Sequence, residues 1–269
     1  MKPRIVIVAA DPLTFNTFLR AITKKLSKWA DIYVLVNIHK DIFLHPDVKN
    51  NVKIVPIPIK RKISPLRDFL AFLILLKEIS KIRPQCVISA TPKAGFLSQF
   101  CSFLLIIKTR IHIFTGQVWV NKKGKLKFIL KSIDKLIANF TTINLVDGSA
   151  QQKFLVDEKV LSYRKSKVTG YGSVSGVDLK KFKFNAKFRS EIRSKYNLKE
   201  SSKVILYLGR IDTDKGIIDL LEAFQNYILP IHKDSYLFII GYPEDHALVS
   251  HLLSSKEILG SHLQITGPT

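Results

Sequence analysis

The chain has 269 residues and a formal net charge of +22, with 43 lysines and arginines against 21 acidic residues. Hydrophobic residues make up 46% of the sequence, which is enough for a sizeable core and argues against disorder. The charge is concentrated in residues 1–180, which hold 31 basic and 11 acidic side chains. We therefore expect this part to contact a polyanion: nucleic acid, an acidic membrane surface or a phosphorylated substrate.

Cysteine usage and apolar runs bear on the cellular compartment. Cys86 and Cys101 lie in apolar surroundings without metal-binding spacing, so we expect two reduced core thiols, as in the cytoplasm. The first apolar run covers only residues 5–10, which predicts a β-strand and not a signal peptide. The run at 95–107 is shorter than the ~20 residues that a membrane-spanning helix needs. The sequence predicts a cytoplasmic protein without a transmembrane segment.

Apolar runs and helical patterns alternate through the first two thirds of the chain. Predicted strands cover residues 5–10, 32–36, 52–56, 86–90, 110–114 and 142–146, and predicted helices cover 15–28, 65–82, 95–107 and 124–139. This alternation predicts an α/β fold with a parallel sheet covered on both faces. We place the first domain at residues 1–178.

The same alternation begins again after a basic stretch at 185–203, which predicts a short surface helix and a linker. Strands are predicted at 204–208, 236–241 and 263–266, with helices at 217–227 and 245–253. A second doubly wound domain would need roughly 150 residues. We therefore expect residues 179–269 to form an incomplete second domain.

The turn at residues 209–216, with the sequence GRIDTDKG, follows an apolar strand and precedes a helix. Gly209 ends the strand, Gly216 opens the helix, and Arg210 and Lys215 flank the turn. Ligands of doubly wound folds bind at the carboxyl ends of strands. The fork of an arginine and the point charge of a lysine suit a diphosphate there. The alternative is a solvated turn whose cations pair with its own two aspartates.

GRIDTDKG resembles the GR-x-x-x-x-KG turn of GT-B fold glycosyltransferases of the family 4 type. Three further stretches resemble, in the same order, bacterial members that build O-antigen, capsule and lipid-linked oligosaccharides: RPQCVISATPKAGFL (83–97), RIHIFTGQVW (110–119) and GSVSGVDLKKF (172–182). The resemblance implies a GT-B-like fold with two Rossmann-like domains, the first binding the acceptor and the second the donor. Arg210 and Lys215, with Gly209 and Gly216, would hold the diphosphate of a nucleotide-sugar donor, a UDP-sugar in our prediction.

The implied reaction moves a sugar to a lipid-linked or polysaccharide acceptor in cell-surface glycan synthesis. It retains the anomeric configuration and needs neither a metal nor a cofactor. Many relatives place a histidine at the end of the fifth strand, beside the reacting sugar. Here that strand ends in Thr115 and Gly116, and the nearest histidine is His112 within the strand. These three residues are the candidate catalytic positions, although a histidine within a strand is more often part of the core.

Candidate substrate contacts occupy the loops that resemble the family. Each has a plain structural alternative: capping of the next helix, an amide facing water, an indole packed in the core, or a simple linker loop. Residues of this kind can offer hydroxyls, an amide, a ring or a charge to a sugar or a phosphate. The candidates are Thr91, Lys93, Gln117, Trp119 and Ser173.

The helical pattern at 122–140 carries Lys127, Lys131 and Lys135 four residues apart on one face. Like charges at this spacing repel, which suggests an external anion such as phospholipid head groups or a lipid diphosphate. The segment 59–72 is a second basic and apolar junction. We therefore expect peripheral contact with an anionic membrane at its inner face. The alternative is a core helix with a solvated lysine face.

One departure from the family pattern and the net charge leave two alternative functions open. The family carries an acidic pair on a later helix, and the sequence up to Thr269 holds no match, so we expect a truncated chain or a partial record. An inactive remnant is therefore one alternative, which the DNA downstream of Thr269 would test. A nucleic-acid-binding protein is a weaker one, because no zinc finger, RNP or helix-turn-helix pattern is present. Binding to lipid vesicles or to duplexes would separate these classes.

Overall fold

The computed structural model describes residues 2–38, 44–59, 64–243 and 246–267. The chain forms two compact units, Met1–Leu179 and Lys180–Thr269. Each consists of a parallel β-sheet with helices between its strands. The predicted α/β class is confirmed.

The first unit is built on a seven-stranded parallel sheet in the order β3-β2-β1-β4-β5-β6-β7. The direction of strand addition reverses between β1 and β4, and this switch point is where doubly wound folds open a crevice for ligands. The strands are β1 (Arg4–Ala9), β2 (Asp31–Val36), β3 (Lys53–Pro56), β4 (Cys86–Ala90), β5 (Thr109–Phe114), β6 (Ile143–Val146) and β7 (Ser166–Val168).

Helices connect these strands, and their ends follow local sequence signals. The helix after β3 starts with Pro65, and Ser64 precedes it. The Ser64 amide donates a hydrogen bond to Asp68 Oδ2 at 3.0 Å, whereas the Ser64 side chain does not cap the helix. It ends at Arg83 in the left-handed conformation, before Pro84. The helices are α1 (Pro12–Thr14), continued through a π-helical turn (Phe15–Leu19) into α2 (Arg20–Leu26), then α3 (Pro46–Lys49), α4 (Pro65–Ile82), α5 (Pro92–Leu104), α6 (Gly124–Phe140) and α7 (Ser149–Asp157).

Alternate residues of the central strands enter two cores, one on each face of the sheet. Ile5 and Ile7 of β1 pack with Phe15 and Leu19 on one face. Val6 and Val8 face the other side and pack against buried residues of α4 and α5. A third cluster surrounds the fully buried Trp119 between α6 and α7. Because both faces are covered, a residue within a central strand is buried whichever way it points.

The second unit holds a three-stranded parallel sheet in the order β10-β9-β8. Its core joins β9 and β10 to two helices through Ile217, Phe224, Leu237 and Leu252. The elements are α8 (Ala186–Lys195), β8 (Lys203–Leu208), a 3₁₀ turn (Thr213–Lys215), α9 (Ile217–Ala223) with a π-helical turn (Phe224–Ile228), β9 (Ser235–Ile240), α10 (His246–Leu259), a 3₁₀ turn (Gly260–His262) and β10 (Leu263–Thr266).

All nine strands predicted from apolar runs are present within one residue at each end. The elements α3, α7 and β7 were not predicted. The helix predicted at 245–253 continues to Leu259, while residue 245 lies outside the described residues, as do residues 60–63 of the basic segment 59–72. Among the helices of the described residues, none is both long enough and apolar enough to cross a membrane.

Candidate active site

The turn after β8 is held by its own backbone and by Asp212. Asp212 Oδ1 accepts a hydrogen bond from the Asp214 amide at 3.0 Å and caps the 3₁₀ turn. Gly216 follows with φ of +72°, a conformation that a side chain would strain, and α9 begins at the next residue. The sequence therefore places Arg210 before this turn and Lys215 at its end.

One of the two cations pairs with an aspartate of the turn, as the solvated-turn alternative predicts, and the other does not. Arg210 Nη1 lies 3.8 Å from Asp212 Oδ2, beyond hydrogen-bond length, and the guanidinium side chain is 55% exposed. Such a surface pair contributes about 0–1 kcal/mol. Lys215 is exposed, and its ammonium approaches no carboxylate of the described residues within 4.0 Å. Both cations therefore lie at the carboxyl end of β8, with Arg210 in a weak surface pair and Lys215 outside any ion pair of the described residues.

Gly241, directly after β9, supports this turn and was not among the predicted residues. A β-carbon at Gly241 would lie 1.8 Å from the Gly209 carbonyl oxygen, so only glycine fits. The close approach extends strand pairing beyond the sheet, with hydrogen bonds from Gly209 N to Ile240 O at 3.1 Å and from Ile211 N to Tyr242 O at 2.8 Å. The signal in the sequence was a second glycine ending a strand.

A cavity of about 430 Å³ opens beside the turn, within the second unit. Its lining is mostly apolar and includes the polar residues Lys256 and Gln264. Pockets of this kind, with a few polar groups, are typical of small-molecule sites. The lining includes Ile211, Gly241, Tyr242, Pro243, Leu252 and Gly267.

At the carboxyl edge of the first sheet, two unpredicted residues connect three of the predicted ones. Gln151 of α7 donates to the Thr115 carbonyl and lies 3.3 Å from Gln117 Oε1, while its own Oε1 accepts from the Asp147 amide at 2.7 Å. The Asp147 carbonyl accepts from the Ser173 amide at 2.6 Å. The loops after β5, β6 and β7 therefore form one connected polar edge. Asp147 could have been found, because it directly follows a predicted strand.

Thr91 stands at the end of β4, beside the switch point, in a strained backbone conformation. Its φ is +71°, which is rare for a β-branched residue. Its hydroxyl is buried and has no hydrogen-bond partner among the described residues, and it does not cap α5. Strain and an unsatisfied buried hydroxyl commonly mark functional positions. Gly116 is exposed at the end of the neighbouring strand.

Lys93 is engaged within the first unit. Its ammonium forms an ion pair of 2.8 Å with Asp68 of α4, and both side chains are largely buried, at 17% and 18% exposure. The predicted substrate contact would have to compete with this pair. Asp68 lies 25 residues earlier in the chain, so no local sequence pattern indicated this partner.

His112 lies in the core, and its predicted catalytic role does not agree with that position. The imidazole is 2% exposed, and its Nδ1 lies 2.8 Å from Ser89 Oγ. Gln99 Nε2 donates to Ser89 Oγ at 2.7 Å, so the serine hydroxyl is left to donate to the imidazole. Burial lowers the pKa of His112 to about 3, and the ring is neutral. We assign His112 to this buried polar network.

Trp119 is likewise a core residue and does not present its ring to a ligand. It is 1% exposed, stacks on Phe154 with ring centroids 5.6 Å apart, and donates through Nε1 to Asp134 Oδ2 at 2.8 Å. Burial raises the pKa of Asp134 to about 6, and the hydrogen bond from Trp119 opposes that rise. The substrate contact predicted for Trp119 is therefore corrected to a structural role.

The predicted lysine row of α6 is only partly available to an external anion. Lys131 pairs with Glu158 at 2.6 Å, and the ammonium groups of Lys127 and Lys131 lie 5.9 and 5.5 Å from the Trp119 ring centroid. Lys135 is exposed. The outward face of α6 instead carries apolar side chains, with Phe128 74% exposed.

The described architecture is that of the GT-B fold class, which is built from Rossmann-like domains. The chain is similar to HepE from Anabaena, solved in complex with UDP and glucose, with a TM-score of 0.76 at 12% identity over 98% of this chain and 69% of that one. It is similar to sucrose-phosphate synthase from Thermosynechococcus elongatus, with a TM-score of 0.71 at 14% identity over 100% and 71% of the two chains. At this identity the likeness establishes the fold.

Comparison of the sequence with known proteins shows which class of enzyme it resembles. Residues 188–268 match the family model described as Glycosyl transferases group 1. The chain is 31% identical over 171 residues to CapM of Staphylococcus aureus, a capsular polysaccharide biosynthesis glycosyltransferase. That alignment covers 63% of this chain and 44% of CapM, so the match spans less than half the length of that relative. The resemblance to glycosyltransferases is confirmed, and the finer assignment to the family 4 type stays a prediction.

Proposed function

We propose that this chain acts as a glycosyltransferase that moves a sugar from a nucleotide diphosphate sugar to a lipid-linked or polysaccharide acceptor. One observation carries the proposal: Arg210 and Lys215 flank the turn at the carboxyl end of β8, directly before α9, and both side chains are exposed to solvent. The group 1 model covers this turn. HepE was solved with UDP, and CapM takes part in capsule synthesis, which supports a UDP-sugar donor and a cell-surface glycan product.

On this proposal the second unit binds the donor. Arg210 offers a planar fork to two phosphate oxygens, and Lys215 adds a point charge. Both cations would stabilise the negative charge that develops on the departing diphosphate, which is the usual electrostatic contribution to such a step. The cavity beside Gly241 and Tyr242 has room for the nucleoside. The reaction is proposed to retain the anomeric configuration and to need no metal, as the family resemblance implies.

The first unit would bind the acceptor at the carboxyl edge of its sheet. Thr91 supplies a buried hydroxyl without a partner among the described residues, and the exposed Gly116 allows close approach to the backbone. Gln117 and Ser173 lie on the polar edge that Gln151 and Asp147 connect. We propose that Thr115 and Gly116 border the reacting sugar.

Calorimetric titration with UDP tests the donor site. We expect Arg210→Ala and Lys215→Ala each to weaken UDP binding about tenfold to a hundredfold, because a hydrogen bond to a charged group contributes about 1.5–3 kcal/mol. Lys233→Ala is the matched control, since it removes an exposed charge from the loop before β9 and should leave the affinity unchanged. Equal affinities in all four proteins would refute the assignment of the two cations.

We further propose that the first unit contacts an anionic membrane at its inner face, in the cytoplasm. The contact surface is the apolar ridge, which we define as the outward residues of the first turns of α4 and α6. Helix α5 packs between these two helices, as the ring contacts Phe72–Phe100 and Phe100–Phe140 show. Lys122, Lys123 and Lys125 are exposed beside the ridge. Its residues are Leu66, Phe69, Leu70 and Leu73 of α4 with Leu126, Phe128 and Ile129 of α6.

Apolar side chains rimmed by lysines suit an interfacial location, because each lysine near an anionic surface contributes ~1 kcal/mol. Replacing Leu66 and Phe128 together by serine should lower binding to phosphatidylglycerol vesicles at least tenfold, since burial of one such side chain contributes about 1.5–3 kcal/mol. Ile258→Ser, at an exposed apolar position of α10, is the control. Cosedimentation that is unaffected by the double substitution would remove the ridge as the membrane surface.

A further inference from the structure

A second cavity, lined by basic residues, lies at the amino edge of the first sheet, where β5, β6 and β7 begin. We call it the amino-edge cavity. It measures about 650 Å³, and no aspartate or glutamate is among its lining residues. Three of the six are cationic, and the others carry hydroxyl groups. The lining consists of Arg110, Thr141, Thr142, Ser162, Arg164 and Lys165.

Two of these cations are fixed in place by carbonyl groups and not by carboxylates. Arg110 donates from Nε to the Phe140 carbonyl at 2.5 Å and from Nη1 to the Ile107 carbonyl. Lys165 Nζ lies 3.4 Å from the Asn139 carbonyl and 3.3 Å from the Thr141 carbonyl. The carbonyls at the end of α6 thus orient both groups while leaving their full charges uncompensated. Burial lowers the pKa of Arg110, a sign that its charge is costly there.

Arg164 is the third cation that lines the cavity. It is exposed, and within the part of the chain that the structure describes it makes no ion pair or side-chain hydrogen bond. Three cations that converge on one cavity repel each other, so the arrangement costs free energy unless an anion occupies it.

We propose that the amino-edge cavity binds the phosphate group of a phosphate monoester or diphosphate. The Arg164 fork matches a pair of phosphate oxygens, Arg110 keeps its Nη2 donors for another, Lys165 adds an ammonium charge, and the Ser162 hydroxyl can bond a further oxygen. This site is separate from the proposed donor site, which lies in the other unit at the carboxyl end of β8. The inference therefore goes beyond the proposed function and does not depend on it.

Apolar side chains beside the cavity define two possible sources of that phosphate. The Arg110 guanidinium carbon lies 5.7 Å from the Phe103 ring centroid. Phe103, Leu104 and Ile106 are 48%, 49% and 83% exposed. Ile106 also has a φ of +54°, which strains a β-branched residue. The phosphate can thus belong to a lipid head group whose chains cover these residues, or to a soluble metabolite.

Calorimetry with inorganic pyrophosphate tests the cavity in the full chain carrying Arg210→Gln and Lys215→Gln, which removes the proposed donor site. We expect binding to persist in this background and to weaken about tenfold or more when Arg164→Gln and Lys165→Gln are added. Lys24→Gln combined with Lys25→Gln, at exposed positions of α2, is the charge-matched control. Loss of binding in the background itself, or an equal effect of the control, would overturn the proposal without touching the UDP result.

A second titration separates the two sources. A short-chain phosphatidic acid, kept below its micelle concentration, should bind more tightly than pyrophosphate if the ligand is a lipid head group. Ile106→Asn should then remove that excess while preserving pyrophosphate binding, because asparagine tolerates the left-handed backbone. Equal affinities for the two probes, both lost with Arg164→Gln and Lys165→Gln, identify a soluble phosphate. A chain that binds neither probe would contradict the site.

Discussion

Replacing Gly241 by alanine is expected to open the second sheet at its carboxyl end and to abolish UDP binding. The new β-carbon would lie 1.8 Å from the Gly209 carbonyl oxygen, a distance that atoms in proteins do not reach. The ends of β8 and β9 must therefore separate, which strains or breaks the bonds Gly209 N–Ile240 O and Ile211 N–Tyr242 O. Overpacking and the loss of these hydrogen bonds together should lower the free energy of unfolding by about 2–4 kcal/mol.

Hydrogen exchange of the peptide 203–211 measures this effect directly. We expect its protected amides to exchange about a hundredfold faster in Gly241→Ala, since local stability sets protection. UDP affinity should fall below detection, because Arg210 moves with the strand end. Gly209→Ala is the control: a β-carbon there would meet nothing nearer than Tyr207 Oη at 4.0 Å. Similar exchange in the two variants would show that the strand ends do not approach as described.

Gly209 and Gly241 show which features of this turn can be predicted from the sequence and which cannot. Gly209 was predicted to end the strand and it does, yet its backbone is ordinary, and the steric requirement falls on Gly241, one strand away. The turn itself was predictable, because an apolar strand, a polar interval and a helical pattern follow each other in the sequence. Whether a side chain would fit at Gly209 or at Gly241 depends on the distance between the two strands. No local sequence pattern contains that distance.

The strands and long helices were predictable because they are apolar and periodic. Helix α7 was missed because only Leu155 of its nine residues is buried, and β7 because it has three residues. Helix α5 was predicted to start at Gly95, whereas Pro92 opens it, a position that proline favours. Short or weakly amphipathic elements leave too little periodicity in the sequence.

The candidate site was predictable in position but not in every role. The candidate residues that follow predicted strands lie at the carboxyl edges of the two sheets, as the topology of parallel sheets requires. His112 and Trp119 failed for different reasons. His112 belongs to a strand covered on both faces, and Trp119 depends on Asp134, fifteen residues away on a helix. Residue type alone cannot distinguish an exposed ring from a buried one.

Acid is expected to unfold the first unit mainly through His112. The pKa of the buried imidazole is about 3 against an ordinary 6.5, so below pH 6.5 the unfolded chain takes up a proton that the folded chain does not. The free energy of unfolding therefore falls as pH drops from 6.5 to 3. The shift corresponds to about 5 kcal/mol at 1.36 kcal/mol for each pH unit.

Asp134 acts in the opposite direction over part of that range. Its pKa is raised to about 6 against an ordinary 3.8, so the folded chain takes up a proton first as pH falls from 6 to 4. This uptake stabilises the fold by about 3 kcal/mol. The two contributions nearly cancel between pH 6 and 4, and the loss caused by His112 becomes visible below pH 4.

Urea unfolding at a series of pH values separates these contributions, and both tryptophans, Trp29 and Trp119, report on the first unit alone. In His112→Gln the free energy of unfolding should rise between pH 6 and 4, because the raised pKa of Asp134 is then unopposed by the lowered pKa of His112. In Asp134→Asn the free energy of unfolding should fall steadily from pH 6.5, because the lowered pKa of His112 is then unopposed by Asp134. If His112→Gln keeps the parent profile, the imidazole is not held neutral in the core, and its exclusion from catalysis loses its support. The pH profile thus decides the role of His112 independently of any substrate.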